Sequence, residues 1–203
     1  MEKLPEAFYQ RKNVVRIARE LLGKLLVTRF DGLQTSGRIV EVEAYNGVAD
    51  KAAHSYGGRR TKRTEIMYGR GGLAYVYLIY GIHHLFNVVT NVEDEPHAIL
   101  VRGIEPVGGI DTMLHRMKKP ALDHTVGRGP GNVSKALGIH TSDTGVSLLG
   151  DTIFIATDGV TVSHSRIIAT PRIGVDYAEE DALLAYRFYV KGNPYVSGKK
   201  INQ

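Results

Sequence analysis

The sequence predicts an α+β fold, one domain with a largely antiparallel sheet and helices around it. Three observations carry that expectation. Strand patterns are long and numerous, helical patterns are short and scattered, and the two kinds do not alternate as a doubly wound parallel sheet requires. No repeat, low-complexity tract or linker divides the 203 residues, so residues 1–203 read as one domain with a sizeable core.

In chain order, residues 13–23 read as an amphipathic helix. Asn13 is its N-cap, Val14, Ile17, Ala18, Leu21 and Leu22 share its apolar face, and Gly23 is a left-handed stop. Residues 24–30 and 37–45 read as strands, with Asp31-Gly32 as a hairpin turn signal. Residues 75–80 and 85–90 form a second hairpin. Residues 98–104 are an apolar strand that Glu105-Pro106 should close. Short helices are expected over 111–118 and 132–137, the second ending at Gly138. Residues 152–157, 165–169 and 186–190 complete the strands.

Composition limits the function. Hydrophobic residues make up 43% and charged residues 23%, as in ordinary globular domains. Cysteine is absent, which excludes disulfides, thiolate metal sites and a cysteine nucleophile, and fits a reducing compartment. No apolar run is long enough to cross a bilayer, and the opening residues lack the apolar region of a signal peptide. A net charge of +5 and a pI of about 9.3 favour a polyanionic partner. Arg59, Arg60, Lys62, Arg63 and Arg70 crowd a glycine-rich stretch suited to phosphate contact.

The most informative strand is 37–45. Alternation sends Val40, Val42 and Ala44 to one face, and Ile39, Glu41, Glu43 and Tyr45 to the other. The second face sets two carboxylates beside an aromatic ring, the equipment for activating water and offsetting positive charge on a sugar. A solvent-facing strand with ordinary surface acids would show the same pattern. His54 follows in Ala52-Ala53-His54-Ser55, and neutral imidazole can both donate and accept. The eight histidines show no metal-ligand spacing, so no metal is expected. The second hairpin carries Tyr75, Tyr77 and Tyr80, rings that can stack on bases.

Taken together, the motifs resemble the alkyladenine (methylpurine) DNA glycosylase family. The residues concerned run from Gly37-Arg38-Ile39-Val40-Glu41 through Glu43-Ala44-Tyr45, Ala52-Ala53-His54-Ser55 and Tyr75-Val76-Tyr77 to Tyr80-Gly81. They continue through Asn87, Leu100-Val101-Arg102-Gly103-Ile104, Gly129-Pro130 and Pro171-Arg172-Ile173-Gly174-Val175 to Arg187-Phe188-Tyr189-Val190. Their ordered sum covers nearly the whole chain.

The resemblance implies a curved sheet, similar to the C-terminal domain of methionyl-tRNA formyltransferase. It implies a cofactor-free, monofunctional DNA glycosylase of base excision repair, acting on duplex DNA with damaged purines. Glu43 would activate water, Arg102 would orient it, and the Ile173 carbonyl would accept from it. Tyr45, His54 and Tyr77 would wall the base pocket, and Asn87 would tune which purines enter. Tyr80 would fill the gap in the duplex with Ile82 beside it at the hairpin tip. Arg59, Thr61 and Arg63 would touch the DNA backbone. Asn132 stands where relatives often carry lysine, and Arg128 would replace that phosphate contact. A monomer is expected, located in the cytoplasm with nucleoid DNA, or in the nucleus of a eukaryote.

For Tyr77 and Asn87 to share a pocket, the hairpin needs an odd connection, so three residues or a bulge are expected between Tyr80 and His84. Two other readings use the same residues. A non-catalytic nucleic-acid binder would need no acid beside the tyrosines, and a small-molecule hydrolase would leave the arginine-rich loop without a role.

Overall fold

Among the described residues, nine strands, every neighbouring pair antiparallel, form one sheet that carries the site. The computed structural model describes residues 1–198; residues 199–203 of the expected domain lie outside the described residues. The strands are β1 (Glu2–Lys3), β2 (Leu25–Phe30), β3 (Leu33–Tyr45), β4 (Ala74–Ile79), β5 (His83–Thr90), β6 (His97–Gly108), β7 (Ile153–Thr157), β8 (Ile167–Thr170) and β9 (Arg187–Val190). The helices are α1 (Glu6–Tyr9), α2 (Val14–Leu21), α3 (Ile110–Met117) and α4 (Pro130–Leu137). The order across the sheet is β1-β7-β2-β3-β6-β5-β4, with β9 also beside β3 and β8 beside β9. This is the expected α+β class. Among the described residues, no helix is long and apolar enough to cross a membrane.

Local sequence explains the helices. Asn13 caps α2 by accepting from the Arg16 amide at 2.9 Å. Val14, Ile17, Ala18 and Leu21 bury the apolar face of α2 in the core formed with β3 and β6. Helix α4 starts at Pro130, two residues earlier than expected, because proline needs no hydrogen-bond acceptor in the first turn.

Strand β3 departs from regular alternation. Ile39 pairs with Ile104 and Glu41 with Gly103, so Val40 is an extra, bulged residue. The bulge reverses the side-chain parity. Ile39 joins Val42 and Ala44 in the main core, whereas alternation sends it to the face of Glu41 and Glu43. It also divides one edge of β3 between two partners. β2 pairs with residues 33–38 and β9 with residues 41–43. The carboxylate-bearing half of β3 therefore lies between β6 and β9.

Strand β6 continues through Pro106, which does not close it. Pro106 opposite Gly37 is tolerated because β5 has already ended its pairing with β6 at Leu100, leaving only one neighbour there. The second hairpin matches its expected parity. Ile79 pairs with His83, so Tyr80, Gly81 and Ile82 make a three-residue connection. Tyr75 pairs with Asn87 and Tyr77 with Leu85, which puts all four on one face.

Candidate active site

The two acids of β3 are fully buried rather than solvent-facing. Buried carboxylates need partners, and each of these has several. Glu43 Oε2 accepts from the Tyr45 hydroxyl at 3.0 Å and from Arg102 Nη1 at 3.3 Å. Glu43 Oε1 accepts from the Ile173 backbone amide at 2.8 Å. Burial pulls the pKa of the Arg102 guanidinium down, but Glu43 and Glu41 outweigh it and the net direction is upward. Tyr45 is pushed well above its ordinary value by burial and the charge of Glu43, so its hydroxyl stays protonated and donates.

In front of this group lies a cavity of about 710 Å³. Tyr45, His54, Tyr77, Asn87, Arg102 and Ile173 all line it, while Glu43 sits behind the wall made by Tyr45, Arg102 and Ile173. His54 and Tyr77 meet edge to face at 4.7 Å between ring centroids. Arg63 Nη2 lies 3.2 Å from His54 Nε2, and His54 Nδ1 lies 2.8 Å from the Tyr75 hydroxyl. Burial, then Arg63 and Arg59, push the His54 pKa down to about 4. Burial also raises Tyr77 above the ordinary tyrosine value.

Asn87 is positioned by its own strand pair. Its side-chain amide donates to the Tyr75 and Leu85 carbonyls at 3.1 Å each, which orients the side-chain oxygen. Behind Tyr45 stands Arg172, its guanidinium 4.9 Å from the ring centroid. Asp50 holds that arginine with bonds of 2.5 and 2.8 Å, and both partners are buried.

The remaining expected residues divide into groups. Tyr80 is 85% exposed at the hairpin tip, in the left-handed region at φ 53°, with Ile82 exposed beside it. Arg59 and Thr61 lie on the exposed loop. There Thr61 is tied into a turn, its backbone N–H donating to Thr64 Oγ1 at 2.8 Å. Arg63 comes to the cavity instead, 5.0 Å from the Tyr77 ring centroid. Arg128 does not reach the cavity; its guanidinium donates to the Pro194 carbonyl, and Asn132 at the cavity edge donates to the Arg128 carbonyl. The Ile173 amide donates to Glu43.

Tyr75, which shares the parity of Tyr77, lines the cavity as well. Arg172, Asp50 and Tyr177 come from distant loops, and no local pattern marks them as site residues.

A family model described as methylpurine-DNA glycosylase matches residues 7–194. The protein is a DNA glycosylase, a hydrolase acting on N-glycosyl bonds. A relative from Bacillus thuringiensis (strain Al Hakam) is 48% identical over 203 aligned residues, covering 96% of this chain and 98% of the relative. A relative from Bacillus mycoides (strain KBAB4) is 48% identical over 202, covering 95% and 98%. Both carry the provisional name 3-methyladenine DNA glycosylase. The chain belongs to the methylpurine-DNA glycosylase family.

Proposed function

We propose that the protein flips an alkylated or deaminated purine, such as 3-methyladenine, out of duplex DNA and hydrolyses its N-glycosidic bond with a water activated by Glu43. An enzyme acting on a base must take it out of the stack, and a weakly paired, damaged base costs least to extract. The cavity in front of Glu43 receives the base, between Tyr45 on one side and His54 and Tyr77 on the other. The observation that carries the reading is the setting of Glu43, a buried carboxylate held by Tyr45, Arg102 and the Ile173 amide behind a tyrosine-walled cavity.

In the reaction, water attacks C1′ of the sugar and gives a proton to Glu43. The C1′–N bond breaks, and its electron pair leaves with the purine. Arg102 and the Ile173 carbonyl orient the water. A cationic alkylated purine departs as a neutral base, so it needs little acid catalysis. Asn87 faces the purine edge and limits which exocyclic groups fit. Tyr80 and Ile82 fill the emptied position in the duplex, and the exposed Arg59 and Thr61 serve the DNA backbone. Among the described residues no lysine lines the cavity, which supports a hydrolase without an imine-forming nucleophile.

The test is single-turnover base release from duplexes carrying 3-methyladenine, 7-methylguanine, hypoxanthine or ethenoadenine, with a salt-dependent gel shift alongside. Release of at least one lesion base, with the strand left intact, supports the proposal. Tight binding with no release from any lesion would reduce the protein to a damage-binding module.

A further inference from the structure

Arg102 has three nitrogens engaged, and only one of them faces Glu43. Nη1 points to Glu43, Nε donates to Glu41 Oε1 at 3.3 Å, and Nη2 donates to Ser197 Oγ at 3.3 Å. A guanidinium is a rigid plane, so the last two bonds set the direction of the first. Ser197 is in turn held at every polar atom. Its amide donates to Glu41 Oε2 at 2.6 Å and its hydroxyl to Glu41 Oε1 at 3.0 Å. Its carbonyl accepts from Arg187 Nη2 at 2.6 Å, while Arg187 Nε donates to Glu41 at 2.7 Å.

We infer that Ser197 and Glu41 are positioning residues for base release, and that the C-terminal segment 193–197 is thereby part of the catalytic apparatus. The inference rests on the reading of Glu43 and Arg102 given above. Two acids and two arginines buried together are an expensive way to stabilise a core, since apolar residues of similar volume often serve as well or better. Their arrangement here converges on the orientation of one guanidinium. Two further features bring the segment into place. Gly103 has no side chain, and a Cβ there would stand 2.8 Å from the Tyr195 carbonyl and 3.1 Å from Glu41 Cβ. Arg128 donates to the Pro194 carbonyl through Nε and Nη2. The segment is thus drawn across β6 until the Ser197 hydroxyl bridges Arg102 and Glu41.

The experiment compares the full chain with Ser197→Ala, Ser197→Thr, Glu41→Gln and Glu43→Gln. It measures the maximal single-turnover rate, the protein concentration giving half that rate, and the thermal midpoint. Ser197→Ala removes the bridging hydroxyl and leaves the backbone bonds. Its maximal rate is expected to fall between about tenfold and a hundredfold, the effect of a small misplacement of a reacting group. The half-saturating concentration stays unchanged, and Ser197→Thr, which keeps a hydroxyl, restores most of the rate. Glu41→Gln keeps size and shows the same split between rate and saturation, so the inference remains testable if either variant folds poorly. A parental maximal rate in Ser197→Ala overturns the inference, as does a loss that appears only in the half-saturating concentration or equally in Ser197→Thr. Full release by Glu43→Gln overturns the underlying reading of the site, and the inference falls with it.

Discussion

Acidification provides a direct test of how the cavity wall is built. His54 in the folded protein has a pKa of about 4, against 6.5 when unfolded, because it is buried beside Arg63 and Arg59. At about 1.4 kcal/mol per pKa unit, the folded state resists protonation of His54 by about 3 kcal/mol. Between pH 6.5 and about 4 the unfolded chain binds the proton and the folded chain does not, so stability falls as pH falls. Above pH 6.5 the contribution is fully present. Other groups titrate over the same range, so the useful quantity is the difference between the parent and His54→Gln. Urea unfolding at a series of pH values should show the parent losing about 3 kcal/mol more than the variant on acidification, or roughly 6–12 °C more in thermal midpoint for a domain of this size. An imidazole resonance titrating near pH 4 would identify the group. Parallel stability curves, or a His54 resonance titrating near 6.5, would refute the account of a buried neutral imidazole beside Arg63.

Other perturbations follow from the same contacts. Asp50→Ala leaves the Arg172 guanidinium buried without its carboxylate and should cost about 3–5 kcal/mol in urea unfolding. Gly127→Ala puts a Cβ 1.9 Å from the Ile104 carbonyl oxygen, so β6 must shift, and the loss should be at least about 1–3 kcal/mol by the same assay. Tyr80→Ala, at an 85% exposed position, should change stability by less than about 0.5 kcal/mol. It should nevertheless weaken lesion-duplex binding about tenfold, as loss of one stacking contact does, and a fluorescence-anisotropy titration measures this.

Much of the site's framework was legible because it depends on local periodicity. The parity of Tyr75, Tyr77 and Asn87 follows once the hairpin connection is odd, and Asn13 announces the start of α2. Alternation also placed Glu41 beside Glu43, and both belong to one buried group. What local pattern could not show is pairing across the chain. The bulge at Val40 in the pairing with β6 sits where the other edge of β3 passes from β2 to β9, and nothing within residues 37–45 reports those partners. Pro106 reads as a strand end, yet its place at a free edge makes it harmless. Arg63 and Arg128 look alike as loop cations. Only the fold brings one to the Tyr77 ring and the other to the Pro194 carbonyl. The role of Ser197 is equally invisible locally, since its partners are 95 and 156 residues away.

The most direct test of the central claim is single-turnover base release by the parent and by Glu43→Gln, with lesion-duplex binding measured on the same samples. Glutamine keeps the size of Glu43 and can still accept from the Ile173 amide, but it cannot take a proton from water. The account predicts release by the parent, loss of about a hundredfold or more in the variant, and retained binding. Equal release by both proteins would contradict it and assign activation of the water to another group.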